Sequence, residues 1–360
     1  MIAVECGRYA SWNGDTPRMI HSSAHARVGL VGNPSDMYFG KTIAAAVTNF
    51  SARVTLWQSP SIELKPHPVN DPFAFDGLGQ LTEKVRVEGY YGGVRLLFAT
   101  CKKFYEFCRD RDVALPDRNF TLSYDTTIPR QVGLGGSSAI ITATVRALME
   151  FYGVRPHVDV QLAELPSLVL SVETEELGIT AGLQDRVVQT YGGTVFMDFD
   201  EPTMIAQGHG TYSRLDSASL PPLFLAYTAI GSESGKVHND VRYRYESGDA
   251  EVIAAMREFA TYAVAARDAL GAGDHTRFGA IMDQNFDLRR RIYGDKAIGD
   301  RDMEMVDIAR RNGCAAKFSG SQGAVVGMCL DRSLRAHVRD EYLARGFQFA
   351  ELAVHDPDAD

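Results

Sequence analysis

A chain of 360 residues, 45% hydrophobic and 23% charged, is long enough to bury a sizeable core or two and too evenly mixed to be disordered or fibrous. Its net charge of -9 argues against a nucleic-acid surface, and no apolar run nears the roughly twenty residues of a bilayer span, so small molecules are the expected partners, not nucleic acids or membranes. Cys6, Cys101, Cys108, Cys314 and Cys329 form no C-x-x-C pair and no zinc spacing, and no signal-peptide core opens the chain; the pattern predicts reduced thiols in a cytoplasmic protein.

From the N-terminus, the polar segment up to His25 predicts a loose terminus or a short strand. Residues 26–32 read as a strand, and the β-branched residues of 42–57 suit one or two more. Residues 59–79, rich in Pro, Asp and Gly, predict a long loop. Helical periodicity follows at 93–109, 138–152 and 166–177, the last with Pro166 in its first turn. After a strand at 194–199, the turn residues of 200–219 mark a domain boundary that divides the chain into 1–210 and 211–360. The second part predicts a strand at 223–230 and helices at 250–271, 274–293 and 300–312. An apolar stretch at 315–329, a helix at 334–345 and a strand at 347–353 complete an α+β pattern.

Two clusters carry chemistry. Pro129-Arg130-Gln131-Val132-Gly133-Leu134-Gly135-Gly136-Ser137-Ser138-Ala139 joins an alternating strand pattern to an amphipathic helix. Glycines leave backbone N–H groups unobstructed, and a helix start adds unpaired N–H groups and the positive end of its dipole, so a phosphate could sit there. The same pattern also serves as a turn with an N-cap. It is not a P-loop, for no lysine follows the second glycine, and Gly40-Lys41-Thr42 has Ser35 where that motif needs glycine. The second cluster is Glu173-Thr174-Glu175-Glu176-Leu177-Gly178, followed by Asp185. Glu173 falls four residues after Val169 on an apolar face, whereas Glu175 and Glu176 turn toward solvent. Asp185 follows a glycine-containing bend, where an acid can face a cleft or cap a helix.

These motifs, with 26–32 upstream and Lys317-Phe318-Ser319-Gly320-Ser321-Gln322-Gly323 downstream, stand in the order found in the GHMP kinases, which the chain resembles along nearly all its length. Within that family, Gly32-Asn33-Pro34-Ser35-Asp36, Ala181-Gly182-Leu183-Gln184-Asp185-Arg186 and Ser234-Gly235-Lys236 look most like the glucuronokinase branch. One extra glycine between Leu134 and Ala139 and the absence of Gly-Glu-His after residue 31 separate it from the galactokinases.

The resemblance implies an α+β fold with an N-terminal ribosomal-protein-S5-like, ATP-binding domain and a C-terminal ferredoxin-like domain. It implies phosphoryl transfer from ATP to a small-molecule hydroxyl, the anomeric hydroxyl of glucuronate in that branch, with galacturonate, a heptose or a non-catalytic sensor as alternatives. Asp185 then matches the catalytic aspartate and Arg27 its basic partner. Gly133, Leu134, Gly135, Gly136, Ser137 and Ser138 would cradle the triphosphate, and Ser138 and Glu173 would ligate Mg2+ through hard oxygens. By position, Asn33, Asp36 and Tyr38 become sugar contacts, and Arg130, Lys236, Arg289 and Lys317 candidate cations for a sugar carboxylate. Adenine is expected near Trp57 or 89–97.

Overall fold

The computed structural model describes residues 19–88, 92–228 and 235–358, the side chains of 86–88 and 235–239 excepted. Contacts divide the chain into two units, each assembled from three stretches of sequence.

The first unit takes the described part of Met1–Ala24 with Ala52–Thr126 and Ser137–Ile179. Here the later half of a strand Lys41–Ser59 pairs antiparallel with Asn119–Thr126, from Ala52↔Thr126 to Ser59↔Asn119, and a short strand Glu63–Leu64 pairs parallel with it. Helix Gly93–Arg109 keeps the expected bounds because Leu97, Thr100, Phe104 and Cys108 recur at helical spacing and are buried. Its first turn is held by Asp71, whose carboxylate accepts from the Val94 amide at 3.2 Å and the Tyr124 hydroxyl at 2.7 Å. The long loop expected at 59–79 does contain the short strand and runs into a helix Leu78–Glu88.

The second unit takes His25–Ser51, Thr127–Gly136 and Thr180–Asp360, so the whole described part of 211–360 falls inside it. Lys41–Ala45 pairs with a strand Thr194–Asp198, which pairs in turn with Thr211–Leu215, both antiparallel. A four-stranded antiparallel sheet runs in the order Gln348–Glu351, Leu223–Tyr227, Ala324–Met328, Ala315–Phe318. Phe224, Ala316, Phe318 and Val325 of that sheet bury against Phe286, Met305, Ile308 and Tyr342 from the helices. The 200–219 stretch is not mere turn: it holds a helix Glu201–Gln207, capped by Asp200, and the strand Thr211–Leu215. No described helix is long and apolar enough to cross a membrane.

Candidate active site

The glycine-rich loop is shaped by carbonyl tethers. Within the second unit, the Gly133 carbonyl accepts from Arg27 Nη1 at 3.1 Å, the Leu134 carbonyl from the Arg27 amide at 3.0 Å and the Gly135 carbonyl from Gln189 Nε2 at 2.8 Å. In a trans peptide the N–H opposes the C=O, so pinning three successive carbonyls turns the N–H groups of Leu134, Gly135 and Gly136 the other way. Gly133 and Gly135 hold φ of +68° and +72°, which the tethers require and only glycine adopts cheaply. The peptide groups that lead into helix Gly136–Tyr152 thus turn their amides away from Arg27 and Gln189, the disposition an anion nest requires. Arg130 is exposed just before that loop, and Ser137 is exposed just after it.

Arg27 reaches three motifs at once. Its Nη1 also donates to the Ser319 carbonyl at 2.9 Å, and its Nη2 meets Asp185 Oδ2 at 2.6 Å. Asp185 stands in the first turn of helix Gln184–Tyr191, and Arg186 Nη1 approaches the same oxygen at 3.5 Å while donating to the Gly182 carbonyl at 2.9 Å. Burial pushes the Asp185 carboxyl up, but the two guanidiniums and its hydrogen bonds outweigh burial and leave it below the usual carboxylate range. Asp36 behaves oppositely. Burial first, then the charge of Asp185, raise it to about 6, although its Oδ2 accepts from the Gln184 amide at 3.2 Å. Gly182 permits that approach, since a Cβ there would collide with Asp36 Oδ2.

The 319–323 turn is fixed from several sides. Arg289 donates to the Gly320 carbonyl at 2.8 Å and the Ser321 carbonyl at 2.6 Å, and both Asp302 oxygens accept from the Gly323 amide, at 3.2 and 3.1 Å. Lys317, fully buried, donates to the Gly29 carbonyl at 3.0 Å, Asn33 Oδ1 at 2.6 Å and the Phe318 carbonyl at 2.7 Å. An ammonium has three donors. All are committed, so Lys317 presents none to a ligand, contrary to the expectation from sequence. Burial and the nearby Arg289 and Arg27 charges lower its pKa well below that of a free lysine. Tyr38 is likewise a packing residue, its ring 4.6 Å from that of Tyr245 in a cluster with Val252, Met256 and Phe259. The Lys236 side chain lies outside the described residues, as does part of the 89–97 segment expected near adenine.

Ser138 and Glu173 belong to the first unit, and both are buried. The helix expected over 166–177 is α-helical only for Leu165–Ser171; Val172–Glu176 widens into a π turn that carries Glu173. Glu175 and Glu176 pair with Lys103 and Lys102 of helix Gly93–Arg109. The hydroxyl of Thr142, one helical turn beyond Ser138, is buried with no hydrogen-bond partner. Serine and glutamate carry hard oxygens of the kind Mg2+ takes. The sequence reading did not single out Arg186, Gln189, Asn285 or Asp302 for these contacts. Arg186 and Asn285 stand in stretches that resemble the glucuronokinase branch, whereas Gln189 and Asp302 act through tethers with no sequence signature.

Fold and site together define a small-molecule kinase of the GHMP kind, and the chain belongs to the GHMP kinases: the model of the GHMP kinases N terminal domain matches residues 96–193 and that of the GHMP kinases C terminal residues 266–347. Among curated proteins it is similar to Glucuronokinase 1 of Arabidopsis thaliana, 49% identical over 319 residues, covering 89% of this chain and 87% of that one. Probable glucuronokinase 2 of the same plant is also 49% identical, over 305 residues, covering 84% and 82%. A crystal structure of mevalonate kinase shares the fold with a TM-score of 0.68 at 18% identity, covering 94% of this chain and 99% of its own. Lactococcus lactis galactokinase complexed with galactose does so with a TM-score of 0.70 at 16% identity, covering 95% of each.

Proposed function

We propose that the chain is an ATP-dependent glucuronokinase, moving the γ-phosphoryl group of ATP to the anomeric hydroxyl of glucuronate and releasing ADP and glucuronate 1-phosphate. The 49% identity to Glucuronokinase 1, sustained over 89% of the chain, carries this reading. The convergence of the glycine-rich loop, Asp185 and the 319–323 turn on Arg27 supports it. In this reading the glycine-rich loop at 133–138 takes the phosphates, with Ser137 at the helix mouth. Ser138 and Glu173 would hold Mg2+, which supplies charge neutralisation for the phosphate oxygens.

Asp185, kept ionised by Arg27 and Arg186, accepts a hydrogen bond from the acceptor hydroxyl and holds it in line. The anomeric hydroxyl is more acidic than an ordinary alcohol, so a weakly basic carboxylate suffices to take its proton as the new O–P bond forms. Arg27 offsets the charge that develops between donor and acceptor. Asp36, with Asn33, faces the hydroxyls of the sugar.

The test is coupled ADP release with glucuronate, galacturonate, glucose, galactose and a heptose as acceptors. Turnover with glucuronate above all others is expected. ADP release that ignores glucuronate, or an ATP-binding protein with no turnover on any acceptor, refutes the reading.

A further inference from the structure

We propose that Cys314 and Cys329 are a disulfide-forming pair, which hydrogen peroxide oxidises to a reversible staple across the base of the hairpin that carries Lys317 and the 319–323 turn. The inference is independent of the sugar and of the transfer step.

Register brings the two together. Strands Ala315–Phe318 and Ala324–Met328 pair antiparallel, with Ala315 opposite Met328. One step further out, Cys314 stands opposite Cys329. Residues opposite each other in an antiparallel ladder share a face, with Cα atoms about 4.5–5.5 Å apart. A disulfide takes Cα atoms about 4.4–6.8 Å apart, so that spacing suits one. The side chains agree with the ladder: both cysteines belong to one core cluster with Ala316, Val338 and Tyr342, at 3% and 2% exposure. Burial, and then the Cys329 thiol within hydrogen-bonding reach, push the Cys314 thiol up.

The surroundings hold the pair in place. Cys314 follows helix Asp300–Arg311, and Cys329 precedes helix Arg332–Ala344. Asn312 Nδ2 donates to Glu341 Oε2 at 2.7 Å, and the Tyr342 hydroxyl donates to the Met305 carbonyl at 2.5 Å, so the two helices are tied to each other. Each sulfur also has a backbone acceptor beside it, the Asn312 carbonyl 3.9 Å from Cys314 and the Asp331 carbonyl 3.4 Å from Cys329. The other cysteines among the described residues, Cys101 and Cys108, are two turns apart on helix Gly93–Arg109, about 10 Å along its axis, too far to bridge.

The chemistry balances with the peroxide as oxidant. One sulfur, as thiolate, attacks a peroxide oxygen; the O–O bond breaks, a sulfenic acid forms, and the departing hydroxide takes up the thiol's proton as water. The second sulfur then attacks the sulfenic sulfur, the S–S bond forms, and a second water leaves. Two thiols lose two electrons and two protons, and one peroxide becomes two waters. Burial keeps the thiolate fraction low, so the step is slower than at a free thiol.

The test is a peroxide titration of the reduced full chain, followed by alkylation under denaturing conditions, digestion and mass spectrometry, with a melting curve at each dose. A Cys314–Cys329 cross-linked species should accumulate, lighter by two hydrogens than its reduced peptides, and dithiothreitol should reverse it. The cross-linked chain should melt about 3–6 °C higher, because the staple constrains the unfolded state. Cys314→Ala and Cys329→Ala should each lose the cross-link and the shift; if either fails to fold, mapping of the wild-type chain decides alone. Recovery of both cysteines as free thiols or as separate sulfinic acids across the titration overturns the proposal, as does a cross-link that lowers the melting temperature. A chain that turns over no glucuronate refutes the functional reading and leaves this one standing.

Discussion

Asp185 and Asp36 are two neighbouring carboxylates whose surroundings drive their proton affinities apart. Asp185→Asn keeps the shape but removes the charge that holds the acceptor hydroxyl, so kcat should fall by about a thousandfold or more while nucleotide affinity stays within about tenfold. Single-turnover kinetics beside nucleotide titration read both quantities, and near-normal turnover refutes the role assigned to Asp185. Asp36 makes a prediction about stability. Its folded-state pKa, about 6, lies above the unfolded value of 3.8, so the stability it contributes is fully present below pH 3.8 and is lost as pH rises through 6. Asp36→Asn keeps an oxygen for the Gln184 amide and has no charge to bury. The variant should therefore melt above the wild type at pH 7, with the gap closing toward pH 4. Melting curves across that range check it, and a gap that widens on acidification contradicts it.

Between elements, one close approach is that of strand Met19–Val31 to the 319–323 turn. The Gly29 amide donates to the Ser319 carbonyl at 2.9 Å, and a Cβ on Gly29 would strike that same oxygen. Gly29→Ala should cost about 1–3 kcal/mol and lower activity, whereas Gly271→Ala, where a Cβ meets nothing within 4 Å, should leave the melt unchanged or slightly raised. Chemical denaturation of both variants gives the comparison. The same contrast explains what the sequence disclosed. Helices Gly93–Arg109 and Ala250–Gly271 match expectation to the residue because their apolar spacing is strong, and Asp249 caps the second. Helix Glu201–Gln207 was hidden by its neighbouring turn residues, and the π turn at Val172–Glu176 has no compositional mark, since widening one turn changes hydrogen bonding and not residue type. Arg27 and Asp185 were legible as a pair through family resemblance. The committed state of Lys317 was not, because its partner Asn33 is 284 residues away.

At the scale of the whole molecule, a ligand that binds only the folded chain should stabilise it. A non-hydrolysable ATP analogue with Mg2+ at about 100 times its Kd should add about 2.7 kcal/mol, and glucuronate should add a further increment. Thermal shift measures both, and Asp185→Asn should keep the nucleotide shift; its loss would mean that Asp185 serves nucleotide binding and not transfer. The Arg27 hub has one more consequence, for synthesis. Arg27 precedes Ser319 by 292 residues. At about 5–20 residues per second the ribosome delivers that partner some 15–60 s after the arginine emerges. Throughout that interval the growing chain carries a guanidinium destined for burial without the Ser319 carbonyl that will receive it, so products cut short before the 319–323 turn lack one of its partners. Such fragments expose an unpaired buried-type charge and are natural clients for chaperones and proteases.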